Sequence, residues 1–274
     1  MKKILITGAN SYIGTSFEKY IKEKFSDQYQ VDTVDLIGGS WREKSFVGYD
    51  SIFHVAGLAH QKETKKNACF YYEINRDLAI EVANKAKKDG VAQFIFLSSM
   101  SVYGMETGVI TKETKPNPKT NYGKSKLQAE EQIVSLRDDK FRICVLRPPM
   151  VYGDGCKGNY NTIVKLIRKL PIFPRVNNKR SVIHIDNLVA FIKKAIDEEL
   201  NGLFFPQNSE YISITKLAID LAVVFNKRVY MSYLLGIIVL CLVPFSKKAK
   251  KAFGNLMYYG TEEFGFDYCL GDKK

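Results

Sequence analysis

The chain has 274 residues, 46% apolar and 26% charged, which is enough to bury a sizeable core and too apolar for a disordered chain. A net charge of +12 suits an anionic partner, either a phosphorylated small molecule or an acidic lipid; no aromatic–basic pattern marks a nucleic-acid binder. Five scattered cysteines (Cys69, Cys144, Cys156, Cys241, Cys269) form no Cys-x-x-Cys or Cys/His cluster, so they indicate neither zinc nor a disulfide framework and fit a reducing cytoplasm.

The first element is a short apolar run, Ile4-Leu5-Ile6, of strand length. It breaks at Thr7-Gly8, too early for the apolar core of a signal peptide. The turn Gly8-Ala9-Asn10-Ser11-Tyr12-Ile13-Gly14 then opens a helix, on which Ile13, Phe17, Tyr20, Ile21 and Phe25 recur at helical spacing. Strand, tight glycine turn and helix N-terminus together form a cradle for an anion such as a pyrophosphate. Ser11 stands where a full dinucleotide fingerprint would have its middle glycine.

A second strand, Val31 to Leu36, carries Asp35 at its end, 21 residues past Gly14. A carboxylate there binds the ribose hydroxyls of NAD and repels a 2′-phosphate. Arg42 lies close enough in sequence to pair with such a phosphate, so NADP stays open. Asp50 to Val55 reads as a third strand ending at Ala56-Gly57, with His54 a packed core histidine and His60 in a loop that can face substrate. One helix is expected from Phe70 to Lys88, then a buried strand from Phe94 to Leu97 ending in Ser98-Ser99-Met100-Ser101. Alternating strands and helices imply the α/β class with a doubly wound parallel sheet. In such a sheet Gly8, Asp35, Ala56, Gly57 and Ser99, all at strand carboxyl ends, converge on one crevice.

Glu106 to Thr120 reads as a polar loop, and a helix from Asn121 to about Leu136 follows. Tyr122 and Lys126 are four apart and share a face of it. Phe141 to Leu146 is a further strand, Asp154 to Tyr160 a Gly-rich loop, and the stretch from Lys165 to Arg180 is basic. Asp186 is placed to cap a helix Asn187–Ile196, and Thr215 another to about Phe225. Val229 to Ser246 has no charge, and Lys247, Lys248, Lys250 and Lys251 follow it. As a helix, its eighteen residues would cover about 27 Å against about 30 Å of bilayer hydrocarbon. A buried segment, a peripheral membrane contact through 229–251 and a true span are all open readings.

The motifs TGANSYIG, FHVAGLAH, FLSSMSVYG, NYGKSKLQAE, LRPPMVYG and RSVIHIDNLV occur in the order of the extended short-chain dehydrogenase/reductases, and the chain resembles their nucleotide-sugar branch over roughly residues 1–200. The resemblance implies a Rossmann fold over 1–153, with 182–205 returning to it. A smaller C-terminal substrate region would comprise 154–181 and 206–274. It implies that Ser99, Tyr122 and Lys126 form the catalytic set. NAD would be held by Gly8, Asn10, Ser11, Tyr12, Ile13, Gly14, Asp35, Ala56, Gly57, Asn75, Pro149, Tyr122 and Lys126. The substrate, a nucleotide-diphosphate sugar, would meet His60, Ser99, Ser101, Tyr122 and Arg180. A homodimer in the cytoplasm is also implied. Met100-Ser101 after Ser99 lacks the acidic residue of the dehydratases, and Met150 replaces the asparagine of many 4-epimerases. An epimerase or 4-ketoreductase of surface-polysaccharide synthesis is therefore expected, and a catalytically silent dinucleotide-binding regulator or scaffold is the alternative.

The chemistry sets a magnitude. A tyrosine base with an ordinary pKa of about 10 needs roughly 4 kcal/mol to ionise near neutrality. One cation about 5 Å away supplies about 3 kcal/mol at an effective dielectric near 20. Lys126 is expected to provide that charge, with oxidised nicotinamide adding to it.

Overall fold

The computed structural model describes residues 1–59, 61–156 and 158–260, and of Asn159 the backbone alone. The opening strand β1 (Lys2–Thr7) is followed by α1 (Tyr12–Lys24) and β2 (Tyr29–Val34), then β3 (Ser51–His54). The chain next forms α2 (Ala68–Tyr72), α3 (Leu78–Lys88), β4 (Gln93–Leu97) and a short strand β5 (Gly108–Ile110). After α4 (Asn121–Val134) and β6 (Arg142–Leu146) come β7 (Met150–Tyr152), α5 (Asn159–Lys169) and β8 (Ile172–Pro174). Then β9 (Val182–His184), α6 (Ile185–Asp197) and β10 (Gly202–Phe204) lead into the C-terminal part.

Six strands form one parallel sheet in the order β10-β6-β4-β3-β1-β2. The order reverses between β1 and β3, which places the ligand crevice of an open α/β sheet at their carboxyl ends. Both faces are covered, so the strands read as apolar runs rather than alternating ones. On one face Ile4, Ile6, Phe53 and Ile95 pack against Phe17 and Ile21 of α1 and Leu188, Phe191 and Ile192 of α6. On the other, Leu5, Ile52, Phe94 and Phe96 pack against Ala79, Val82 and Ala86 of α3 and Ala129 and Ile133 of α4. Each fully buried aromatic or branched side chain contributes about 1.5–3 kcal/mol.

A separate apolar cluster lies in the C-terminal part. It joins Ile163 and Ile167 of α5 to Phe173 and to Leu217, Ala218 and Leu221 of α7 (Ile214–Val224). Strand β11 (Tyr230–Ser232) pairs with β8 and leads into α8 (Tyr233–Leu242) and α9 (Lys247–Phe253); β12 (Leu256–Tyr258) pairs with β5.

Several expectations are corrected. The helix expected over 70–88 is broken by a π-helical turn, Glu73–Asp77, between α2 and α3. The polar loop 106–120 contains β5, which among the described residues pairs with the strand Leu256–Tyr258. The basic stretch begins as an amphipathic helix, α5, whose Ile163 and Ile167 face the core. His184, not Asp186, caps α6, and its ring accepts from the Asp186 N–H. Ser213 caps α7 through the Lys216 N–H, while the Thr215 hydroxyl bonds the backbone of Val176. The buried reading of 229–246 fails: most of α8 is exposed, and no helix among the described residues is long and apolar enough to cross a membrane.

Candidate active site

The crevice starts at Gly8. Its φ of +112° and the 2.6 Å that would separate a Cβ from the Ala56 nitrogen leave no room for a side chain. Val55 and Ala56 both donate to the Thr7 carbonyl at 3.0 Å, which seals β1 to β3 at this point. Asn10 takes the left-handed conformation, φ 65°. Ser11 caps α1, its hydroxyl accepting from the Gly14 N–H at 3.2 Å. That explains why serine serves where the fingerprint has glycine: it satisfies one N–H of the turn. Tyr12 donates to the Asp154 carbonyl at 2.8 Å and so joins the first turn to the loop after β7; burial raises its pKa.

Asp35 is exposed just past β2 and accepts from the Ile37 N–H at 3.0 Å. Arg42 is engaged elsewhere: its guanidinium forms a forked pair with Glu81 and lies 4.9 Å over the Trp41 ring.

Gly57, Asn75 and Lys126 meet at one point. A Cβ on Gly57 would lie 3.0 Å from Asn75 Oδ1 and 3.2 Å from Lys126 Nζ. Asn75 is fully buried in the π-helical turn; it accepts from the Leu58 N–H at 2.7 Å and donates to Ser125 Oγ at 3.2 Å. The extra residue of a π turn re-aims the side chains around it. Lys126 is 4% exposed and donates from Nζ to the Leu97 carbonyl at 2.9 Å. Burial pushes its pKa down to about 8, with Glu130 acting in the opposite direction.

Tyr122 sits one turn earlier on α4. Burial raises its pKa, and a side-chain hydrogen bond with Ser99 works against that rise. The sequence-based expectation was a phenol pulled down by Lys126; here burial is the largest influence and the phenol is neutral at physiological pH. Ser99 is half-buried, donates to Ser101 Oγ and accepts from the Ser101 N–H, both at 3.1 Å. Gly123 lets α4 lie against this turn, since a Cβ there would be 2.6 Å from the Ser101 carbonyl.

Glu63 was not singled out in the sequence. Its carboxylate accepts from the Asn121 and Tyr122 N–H groups at 3.0 and 3.1 Å, holding the first turn of α4. Only folding brings it there, across 58–59 residues. Below the site Arg147 grips Glu130, with contacts of 2.5–3.1 Å. Ser98 donates to the same carboxylate and Arg147 also donates to Tyr103. Glu130, four residues past Lys126 on the same helix, was the available signal for this network.

The other expected residues are dispersed. Ile13 is half-buried on α1 and Pro149 is buried beside the carbonyl of Pro148, which accepts from Met100. Ser101 is exposed. Arg180 is buried in the C-terminal part and donates to the Gly254 carbonyl at 2.7 Å; burial lowers its pKa. His60 lies outside the described residues.

A parallel sheet with a glycine-turn cradle at its switch point, an exposed carboxylate just past β2 and a Ser/Tyr/Lys cluster has the form of a dinucleotide-dependent oxidoreductase of the extended short-chain type. The sequence profile of the NAD dependent epimerase/dehydratase family matches residues 4–204, and the chain belongs to that family. UDP-glucose 4-epimerase of Vibrio cholerae is 30% identical over 251 residues, 82% of this chain and 76% of that protein. N-acetyl-alpha-D-glucosaminyl-diphospho-ditrans,octacis-undecaprenol 4-epimerase of Escherichia coli O157:H7 is 22% identical, over 86% of this chain and 77% of that protein. The fold matches that of dTDP-4-dehydrorhamnose reductase from Bacillus anthracis, solved with NADP, at a TM-score of 0.70 and 21% identity, over 97% of this chain and 86% of that one. The chain is thus an NAD(P)-dependent enzyme. The left-handed backbone at Gly8 and Asn10 and the opening N–H groups of α1 fit a bound dinucleotide.

Proposed function

We propose that this enzyme carries out reversible oxidation and reduction at a carbinol of a nucleotide-diphosphate sugar, as a 4-epimerase or a 4-ketoreductase of surface-polysaccharide precursor synthesis. The observation that carries the reading is the hydrogen bond between Tyr122 and Ser99, one helical turn from the buried Lys126 and just past the carboxyl end of β4.

When bound, the nicotinamide supplies the hydride acceptor or donor. The remaining work falls to the chain. Tyr122 gives its phenolic proton to a carbonyl oxygen in the reductive direction and takes it back from a hydroxyl in the oxidative one. Its neutral form is the one a reduction requires. Ser99 holds the same oxygen in line with the phenol, so the proton moves along a preset hydrogen bond. Lys126, fixed by the Leu97 carbonyl, holds an ammonium one helical turn from Tyr122, where it would help hold the cofactor and favour the phenolate when the reaction runs oxidatively. Asp35 binds the ribose hydroxyls. Glu63 positions Tyr122 through the backbone.

The Vibrio cholerae relative favours epimerisation, a full oxidation–reduction cycle with no net change in cofactor. The test is incubation of the purified chain with UDP-glucose, and separately with a 4-keto nucleotide sugar and NADPH. Formation of the C4 epimer without absorbance change at the reduced-cofactor band supports the epimerase; stoichiometric NADPH consumption supports the reductase. Failure of both with nucleotide sugars defeats the proposal. A second reading, action on a sugar diphosphate carried by a polyprenol, is favoured by the exposed apolar helix α8 and by the name of the Escherichia coli relative.

A further inference from the structure

The helix α8, YLLGIIVLCL, packs on the protein along one narrow line. Gly236 is its one buried residue, and there a Cβ would lie 2.1 Å from the Arg175 carbonyl. Around the rest of its circumference Leu234, Ile237, Ile238, Leu240 and Leu242 are 47–69% exposed, and Phe245 just beyond is 89% exposed. Monomeric surfaces seldom expose so continuous an apolar feature without a partner. Its borders are basic. Arg228 precedes it, and Lys247, Lys248, Lys250 and Lys251 of α9 follow; no Asp or Glu occurs between Asp220 and Glu262. Aromatic residues with polar tips stand at the edge: Tyr230 and Tyr233 are 67% and 62% exposed, and Arg175 lies 4.3 Å over the Tyr233 ring.

We propose that α8 and α9 form a docking surface for an anionic membrane, with α8 lying in the boundary between headgroups and acyl chains and the α9 lysines on the phosphates. A ten-residue helix reaches about 15 Å, half of a bilayer core, so it lies in one leaflet rather than spanning. Apolar side chains on most of the circumference suit a medium that surrounds the helix; a helix partner covers only one side. A two-fold contact through this patch would also bring its lysine border against a second copy of itself. Lipid phosphate instead complements that border, and tyrosines at the rim suit the interface. The surface does not depend on the catalytic reading, since none of its residues lies in the crevice.

The test is flotation of the full chain with vesicles of phosphatidylcholine alone or of phosphatidylcholine containing phosphatidylglycerol. The chain should float with the anionic vesicles and bind the neutral ones at least about tenfold less. Ile237→Glu with Leu240→Glu should abolish flotation at an unchanged melting temperature, because both side chains are already exposed. Should that variant fail to fold, Lys247→Gln with Lys251→Gln tests the basic half: affinity for anionic vesicles should fall about fivefold per lysine. A chain that stays in the soluble fraction with anionic vesicles overturns the proposal. So does a dimer that Ile237→Glu splits while vesicle binding is nil.

Discussion

Lys126 and Leu97 are locked together: the lysine Nζ donates to the strand-end carbonyl at 2.9 Å, directly beneath Gly57. The contact fixes the ammonium in space, but burial still penalises its charge and brings its pKa from 10.5 down to about 8. The folded value lies below the unfolded one. Both states are charged below pH 8, where the folded state bears the full penalty. Between about pH 8 and 10.5 the unfolded chain holds more protons, so this residue's contribution to stability rises with pH. Urea denaturation of the wild type and of Lys126→Met across that window should show the gain in the wild type only. At pH 7 the variant should be more stable by roughly 2 kcal/mol, the desolvation relief less the lost hydrogen bond, and should have lost turnover.

Under the proposed mechanism, Tyr122→Phe removes the proton that the reaction moves and little else. The ring stays in place, and Ser99 keeps its bonds to Ser101. The rate at saturating substrate should fall by about 10²–10⁴, while NAD affinity measured by calorimetric titration stays within about twofold, a change worth under 0.5 kcal/mol. A variant that loses cofactor binding and turnover together would move Tyr122 out of its assigned role.

The parts of the fold that follow from local pattern were readable in the chain. The Ile4–Ile6 run, the glycine turn and the spacing of Phe17 and Ile21 lead to β1, the cradle and α1. Tyr122 and Lys126 fall on one helix face by spacing alone. What escaped was non-local. β5 exists because Leu256–Tyr258 returns to pair with it, and nothing in GVI itself predicts that. The π turn at Asn75 arises from one extra residue wedged into a helix, and the 3.6-residue period does not register it. Glu63 reaches α4 only through the folded loop. α5 was hidden by its charges: Lys165, Arg168 and Lys169 drew attention from Ile163 and Ile167, whose four-residue spacing was the available signal.

The Arg147–Glu130 pair under the site yields an asymmetric expectation. Both side chains are under 10% exposed, and their contacts run from 2.5 to 3.1 Å. Arg147→Met leaves the Glu130 carboxylate buried without its cation and should cost about 3–5 kcal/mol in urea denaturation. Arg147→Met combined with Glu130→Leu removes both charges and should recover most of that loss. The single change should also weaken catalysis, because Glu130 shares α4 with Tyr122 and Lys126 and holds Ser98 beside Ser99.

Gly8→Ala separates steric from conformational effects at the cofactor cradle. The alanine meets two obstacles: a φ of +112°, and the Ala56 nitrogen 2.6 Å from its methyl group. Relief requires β1 and β3 to part at their carboxyl ends, where the Ala56 N–H now bonds the Thr7 carbonyl. Gly90→Ala is the matched control, with φ +77° and nothing within 4 Å of the new methyl group. The control should lose about 1 kcal/mol in thermal denaturation and bind NAD as the wild type does. Gly8→Ala should lose more stability, about 1–3 kcal/mol from strain alone. Its NAD affinity should also fall at least tenfold, about 1.4 kcal/mol, because the N–H groups of the turn no longer converge on the pyrophosphate. Equal NAD affinity in the two variants would place the dinucleotide elsewhere than at this turn.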